Sequence, residues 1–170
     1  DANNKLEYWS VDNVGNVESP HILTGIKLDK TAPAGSIKIN NDASYTTSTS
    51  VTLTLTATDA TSGVYKVRYS DDQALWTQWE DFSATKPWTL TSGDGTKIIY
   101  FQVKDNAGLI STYQDTITLD ATKPTANAGQ DQTVNAGTTA TFDASASSDN
   151  VGIVSYQWDF GDGTTGTNKT

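Results

Sequence analysis

The chain has 170 residues, enough for one ordinary domain or for one compact domain flanked by parts of others. Its 20 acidic and 11 basic residues give a formal charge of −9, which argues against a nucleic-acid partner, and no stretch approaches the 18 apolar residues of a membrane span. Cysteine is absent and His21 is the only histidine, which excludes thiol catalysis, cysteine-based zinc sites, disulfides and an ordinary catalytic triad. We therefore expect no enzymatic activity within these residues.

The composition favours an all-β protein. There are 17 Asp against 3 Glu, and Asp prefers turns whereas Glu favours helices. Thr occurs 28 times, and β-branched residues suit a pleated, half-buried surface. No apolar stripe with helical spacing is longer than one turn.

The first predicted elements belong to a repeat. An aromatic strand at residues 8–11 leads into D-N-V-G at 12–15, and L-D-K-T-A-P follows at 28–33. The same order recurs as an aromatic strand at 100–104, D-N-A-G at 105–108 and L-D-A-T-K-P at 119–124. The L-D-x-T-x-P segments lie 91 residues apart, the size of one β-sandwich module, and their prolines stiffen the joints. We predict the last strands of a partial module at 1–32, a complete module at 33–121 and the first part of another at 122–170.

The middle module shows strand periodicity throughout. Apolar residues alternate with polar ones at 51–58, 65–70 and 99–104, and Ile117 and Leu119 close the last strand. Turn residues separate these runs at 59–63, 70–73, 92–95 and 105–108. Six to eight short strands at this spacing predict an immunoglobulin-like β-sandwich.

Two stretches carry family resemblances. S-G-V-Y-K-V-R-Y-S-D-D at 62–72, W-T-Q-W-E at 76–80 and P-W-T-L-T-S-G-D-G-T-K at 87–97 resemble the Ig-like repeat of bacterial and archaeal surface and secreted proteins. That family commonly has D-N-A-G-N, whereas this module has Leu109 after the glycine and the first copy keeps Asn16. The W-D-F-G-D-G of residues 158–163, with T-A-T-F-D-A-S-A-S-S-D at 139–149, resembles a PKD domain. Both resemblances imply an architecture rather than an activity.

Aspartates at the predicted module joints are candidate calcium ligands. In a sandwich of this kind the incoming linker, the B–C loop and the F–G loop meet at one end, which brings together Asp29, Asp59 and Asp105, with Asn106. The same reasoning gathers Asp120, Asp143 and Asp149 at the next joint. Oxygen ligands of this type suit Ca²⁺, and the alternative is that each Asp only caps its own turn.

Aromatic residues and one sequon are further candidates. Trp76 and Trp79 lie in a strand-like run, where a straight strand places them on opposite faces, so one of them, or Trp88, is a candidate for stacking on a sugar ring. The alternative is core or edge packing. Asn168-Lys169-Thr170 is an N-x-T glycosylation sequon, with Asn168 as the acceptor.

The sequence favours a non-catalytic structural or adhesive segment of a long extracellular prokaryotic protein, with archaea as one source. Spacer, surface layer (S-layer) and adhesin rod are its forms, and its partners are the neighbouring modules. One alternative is an accessory spacer or substrate-binding region of an extracellular polymer-degrading enzyme, with polysaccharide as partner. Another is a filament in which copies of the chain complete each other's modules by strand exchange.

Overall fold

The computed structural model describes residues 3–170, so residues 1–2 of the predicted first module lie outside the described residues. Strands are the only regular elements in this range, which confirms the all-β class. The elements are β1 (Asn3–Tyr8), β2 (His21–Lys27), β3 (Ala34–Ile39), β4 (Tyr45–Thr46), β5 (Ser50–Thr58), β6 (Val64–Ser70), β7 (Thr85–Thr89), β8 (Gly95–Asp105), β9 (Ile110–Leu119), β10 (Trp158–Asp159) and β11 (Thr165–Gly166).

The strands form four sheets. β1 and β2 make an antiparallel hairpin, and β10 and β11 make a two-residue antiparallel pair. A three-stranded sheet has the order β3-β5-β7, and a four-stranded sheet has the order β4-β9-β8-β6, in which only the short β4 runs parallel to its neighbour. The seven strands from β3 to β9 fall within the predicted six to eight of an immunoglobulin-like sandwich.

Two compact units divide the chain, and each draws on several segments. The first comprises the described residues up to 42, together with residues 52–88 and 98–115. Its core uses side chains from both larger sheets, and burial follows the alternation predicted for β5 and β8. In β6 the prediction holds for Val67 and Tyr69 but is wrong for Tyr65, which is exposed at a register shift of the strand. The buried apolar residues of this unit are Ile37, Ile39, Leu53, Leu55, Val67, Tyr69, Ile99, Phe101 and Val103.

Close approach of β3 to the four-stranded sheet accounts for a glycine in the first unit. A Cβ on Gly35 would lie 2.8 Å from the Thr56 carbonyl oxygen and 3.2 Å from Val103 Cγ2. The backbone of the same strand is also tied by a side chain, because the Ile39 amide donates to Asp115 Oδ2 at 2.6 Å. Gly35 is therefore a packing requirement rather than a turn residue.

The second unit comprises residues 43–51, 89–97 and 116–170. Its buried apolar side chains are Val51, Leu90, Ile117, Leu119 and Ala144. Beyond residue 121 the described chain is mostly turns, bends and irregular segments, with β10, β11 and a bridge between Thr125 and Ser148. Large apolar side chains there, such as Phe142, Val154 and Phe160, remain exposed.

The strand-like run expected around Trp76 is wrong. Residues 71–79 form bends and irregular chain, and only Glu80 bridges to Val67. The cause is local: Asp72 Oδ1 accepts the amides of Ala74 and Leu75, and Gln73 adopts a left-handed φ of 61°. Backbone amides that bond to a side chain in this way are not available to a strand ladder.

A candidate cation site of three aspartates

Three aspartates of the first unit come together from separate segments. Asp29 lies in the linker after β2, Asp59 follows the last residue of β5, and Asp105 is the last residue of β8. Each offers a carboxylate oxygen, and these oxygens all lie within 4.8 Å of one another. We call this group the three-aspartate cluster. It is the juxtaposition expected from the linker and the two loops meeting at one end of the module.

All three residues also organise the backbone that carries them. In each case Oδ1 accepts amides a few residues further along the chain, which is the Asx-turn chemistry expected of Asp after a strand. The donors are Thr31 to Asp29 at 2.9 Å, Thr61, Ser62 and Gly63 to Asp59 at 3.2, 2.7 and 2.7 Å, and Leu109 to Asp105 at 2.8 Å. Turn capping and ion binding are thus compatible, because capping uses one oxygen of each carboxylate.

The second oxygens of two members have no hydrogen-bond partner. Asp29 Oδ2 and Asp105 Oδ2 are both buried and unpaired, and the Asp105 residue has no exposed surface at all. Burying a carboxylate oxygen without a partner is costly unless a cation or a donor compensates it. None of the side-chain ion pairs found among residues 3–170 includes a member of the cluster.

Ser62 is a neighbour that the sequence did not single out. Its hydroxyl donates to Asp59 Oδ1 at 3.3 Å, and the nearby Ser62 side chain, followed by the Thr31 amide, lowers the pKa of Asp29. The S-G pair at 62–63 was visible only as a turn signal, and its proximity to the linker depends on the fold.

Asn106, the fourth residue predicted at this site, contacts the loop that carries Asp59. Its Nδ2 donates to the carbonyls of Ser62 and Gly63 at 2.9 and 3.1 Å, and its backbone amide also donates to Gly63. Gly63 needs its left-handed φ of 82°, and a Cβ there would lie 3.5 Å from Asn106 Nδ2. Asn106 therefore holds the loop of Asp59 against the end of β8.

In the other unit, the second L-D-x-T-x-P segment is held by Asp94, which the sequence places in the turn at 92–95. Asp94 accepts the Ala121 amide at 2.8 Å, the Thr122 hydroxyl in a short hydrogen bond, and Asn150 Nδ2 at 2.8 Å.

Asp120 Oδ1 and Asp149 Oδ2 are buried without partners, whereas Asp149 Oδ1 caps residues 151 and 152. Within residues 3–170, neither belongs to a group of three clustered acidic ligands. Asp143 Oδ1 accepts the Ser145 amide in a turn.

The tryptophans considered for sugar stacking are half-buried and engaged by other side chains. Arg68 Cζ lies 4.8 Å from the ring centre of Trp76 and 4.4 Å from that of Trp79, so the rings share one guanidinium instead of lying on opposite faces. Trp88 packs 5.7 Å from the Tyr69 ring, and its Nε1 donates to Asp71 Oδ1. These contacts belong to the packing alternative, and sugar binding by these residues stays a prediction.

The predicted glycosylation acceptor lies on the surface. Asn168 is exposed, as a glycosylation acceptor must be, and its backbone carbonyl accepts Trp158 Nε1 at 2.7 Å.

The adjacent carboxylates Asp71 and Asp72 do not resemble a glycosidase pair, because the Leu75 and Ala74 amides lower the pKa of Asp72, whereas a general acid needs a raised pKa. Residues 3–170 contain no helix with the length and hydropathy needed to cross a membrane.

Comparison with known proteins finds a family match for the last third of the chain. Residues 121–170 match the PKD domain model, which confirms the resemblance seen in W-D-F-G-D-G. Among solved structures, the PKD1 domain of Vibrio anguillarum Epp is similar at 15% identity and a TM-score of 0.41, over 54% of this chain and 96% of that one. No curated protein matches the chain. PKD domains are generally non-catalytic modules and occur typically in extracellular proteins.

Proposed function

We propose that the chain is a non-catalytic spacer segment of a prokaryotic cell-surface or secreted protein, built from tandem β-sandwich modules whose joints are stiff. The PKD match supports an extracellular structural role for residues 121–170. The repeat of L-D-x-T-x-P after 91 residues supports the tandem arrangement. The partners of such a segment are the modules that precede and follow it.

One observation carries the stiffness of the first joint. Pro33, where the linker ends, is fully buried, and its carbonyl accepts the Tyr113 hydroxyl at 3.0 Å across 80 residues of sequence. A proline with fixed φ and a carbonyl held by the module leaves few free torsions at this end of the linker. A freely jointed linker would instead be exposed and bonded only to water.

Distance measurements between spin labels test this proposal. The chain has no cysteine, so Thr24→Cys and Thr52→Cys can be labelled without background, one on the β1–β2 hairpin and one on β5. We expect one narrow distance distribution, and a broader one when Tyr113→Phe removes the hydroxyl that holds Pro33. A broad distribution in the otherwise unaltered chain would contradict a stiff joint. Measuring with calcium and with chelator separates this contact from any effect of an ion.

A further inference from the structure

The three-aspartate cluster concentrates negative charge at a place that offers little compensation. Its carboxylate oxygens lie within 4.8 Å of one another, a separation at which like charges repel each other. Asp105 is completely buried, so water cannot screen it freely. The unpaired oxygens of Asp29 and Asp105 add an unsatisfied hydrogen-bonding demand. A bound cation would reduce the repulsion, neutralise the buried charge of Asp105 and provide a partner for the two unpaired oxygens.

The D-N-x-G turn occurs twice in the chain, and comparing the copy at Asp12 with the copy at Asp105 shows what is special about Asp105. In the first copy, Asn16 donates its backbone amide to Asp12 Oδ1 at 2.9 Å and its side-chain amide to Asp12 Oδ2 at 2.8 Å. In the second copy Leu109 donates its backbone amide to Asp105 Oδ1 at 2.8 Å but has no side-chain donor. The Asn-to-Leu difference thus leaves Asp105 Oδ2 free, next to two further carboxylates.

We propose that Asp29, Asp59 and Asp105 bind one calcium ion. The donors are carboxylate oxygens, the ligands that hard divalent cations prefer, with no nitrogen or sulfur among the three. At Ca–O distances of 2.3–2.6 Å, ligands on opposite sides of calcium lie about 4.6–5.2 Å apart, and an upper limit of 4.8 Å for this cluster fits within that shell. Water and nearby oxygens complete the six to eight ligands that calcium takes.

The ligands come from a linker, a loop and a strand end, so the ion would join three segments. Asp29 belongs to the L-D-x-T-x-P joint, whereas Asp59 and Asp105 belong to the module that follows. Calcium therefore fastens the joint to the module by a second contact besides Tyr113 and Pro33. Calcium binding at this site does not rest on the proposed spacer function. Only the inference that calcium fastens the joint to the module rests on it.

Calcium titration of the whole chain is the direct test. Calorimetry should show one site that calcium fills more tightly than magnesium, and the unfolding temperature should rise by several degrees when calcium exceeds its dissociation constant about 100-fold, relative to excess chelator. Asp105→Asn should abolish the heat and the shift, because it removes a ligand charge while its Oδ1 still accepts the Leu109 amide. Asp72→Asn is the matched control, since it alters a capped turn outside the cluster and should leave both unchanged.

The direction in which Asp105→Asn shifts the unfolding temperature distinguishes an ion site from a turn cap. In chelator, Asp105→Asn should unfold at the same temperature as the unaltered chain or higher, because it relieves repulsion among carboxylates. In calcium it should unfold lower. Equal destabilisation in both conditions would make Asp105 only a cap and would overturn the proposal. So would the absence of calcium heat in the unaltered chain, or a calcium shift that survives in Asp105→Asn.

Leu109→Asn tests the turn comparison and keeps all three aspartates. A side-chain amide at this position should pair with Asp105 Oδ2 as Asn16 pairs with Asp12. We expect calcium affinity at least about tenfold weaker, together with a higher unfolding temperature in chelator. Leu109→Ala controls for the loss of the leucine and should retain calcium affinity. An unchanged affinity in Leu109→Asn would mean that Asp105 Oδ2 does not face the ion.

Discussion

The β1–β2 hairpin and the β8–β9 hairpin share one sequence plan and differ in burial. Both have an aromatic strand, a D-N-x-G turn and a strand that ends in L-D-x-T-x-P. Leu6 and Tyr8 of β1 are 52% and 54% exposed, whereas Ile99 and Phe101, in the matching positions of β8, are fully buried. The turn hydrogen bonds of the two copies correspond, down to the amides of Gly15 and Gly108 donating back to the Asp carbonyl.

This difference separates what a local pattern specifies from what neighbours supply. The turn chemistry and the alternation are sufficient to define a hairpin. Burial needs a second layer of strands, which β8 and β9 have in the module and the described surroundings of β1 and β2 do not provide. A two-stranded hairpin has little stability of its own, so most of the stabilising area belongs to the second copy.

The largest contrast is expected for aromatic truncation. Phe101→Ala should lower the free energy of unfolding by about 3–5 kcal/mol, because it removes a buried ring that stacks 5.4 Å from Tyr69. Tyr8→Ala should lower it by about 1 kcal/mol or less, since that ring is half-exposed and stacks on the exposed His21. Urea denaturation of both variants measures the difference. Comparable losses would show that β1 is buried in solution.

A smaller contrast is expected for two glycines. Gly35→Ala should cost about 1–3 kcal/mol, because its methyl group meets the Thr56 carbonyl and the backbone must shift. Gly25→Ala should cost about 1 kcal/mol, since Gly25 has open space but a left-handed φ of 78° at the β-bulge of the hairpin. Urea denaturation measures both changes, and amide exchange should confine the second to β1 and β2. A neutral Gly35→Ala would contradict the close approach of β3.

The smallest effect concerns acid titration of the first turn. Hydrogen bonds from the Asn16 side chain, and then from the Asn16 and Val14 amides, lower the pKa of Asp12. Because the folded pKa is below the unfolded one, this stabilisation is present above the ordinary Asp pKa of about 3.9 and is lost as pH falls through the folded pKa. NMR titration of the Val14 and Asn16 amides should report that midpoint. Asn16→Ala should move the midpoint upward, and an unchanged midpoint would exclude the side-chain contribution.

Local chemistry made much of the fold predictable. Val51, Leu53 and Leu55 alternate with threonines, and the structure buries all three, because a strand turns successive side chains to opposite faces. The Asp-led turns were also recognisable, since Asp accepts amides of its own chain two to four residues on. The run near Trp76 was not predictable as irregular, because there Asp72 and Gln73 outweighed the apolar residues.

The sequence by itself determined the all-β class, the strand periods, the repeated L-D-x-T-x-P segments and the residue types at the candidate site. Only the tertiary structure decided which oxygens are buried and unpaired, that Ser62 and Asn106 flank the cluster, that Arg68 lies against two tryptophans, and that Asp94 holds the second L-D-x-T-x-P segment. The physical reason is one of range. Turn capping and alternation act within a few residues, whereas burial and electrostatic proximity depend on segments up to 80 residues apart, whose placement depends on the whole packed core.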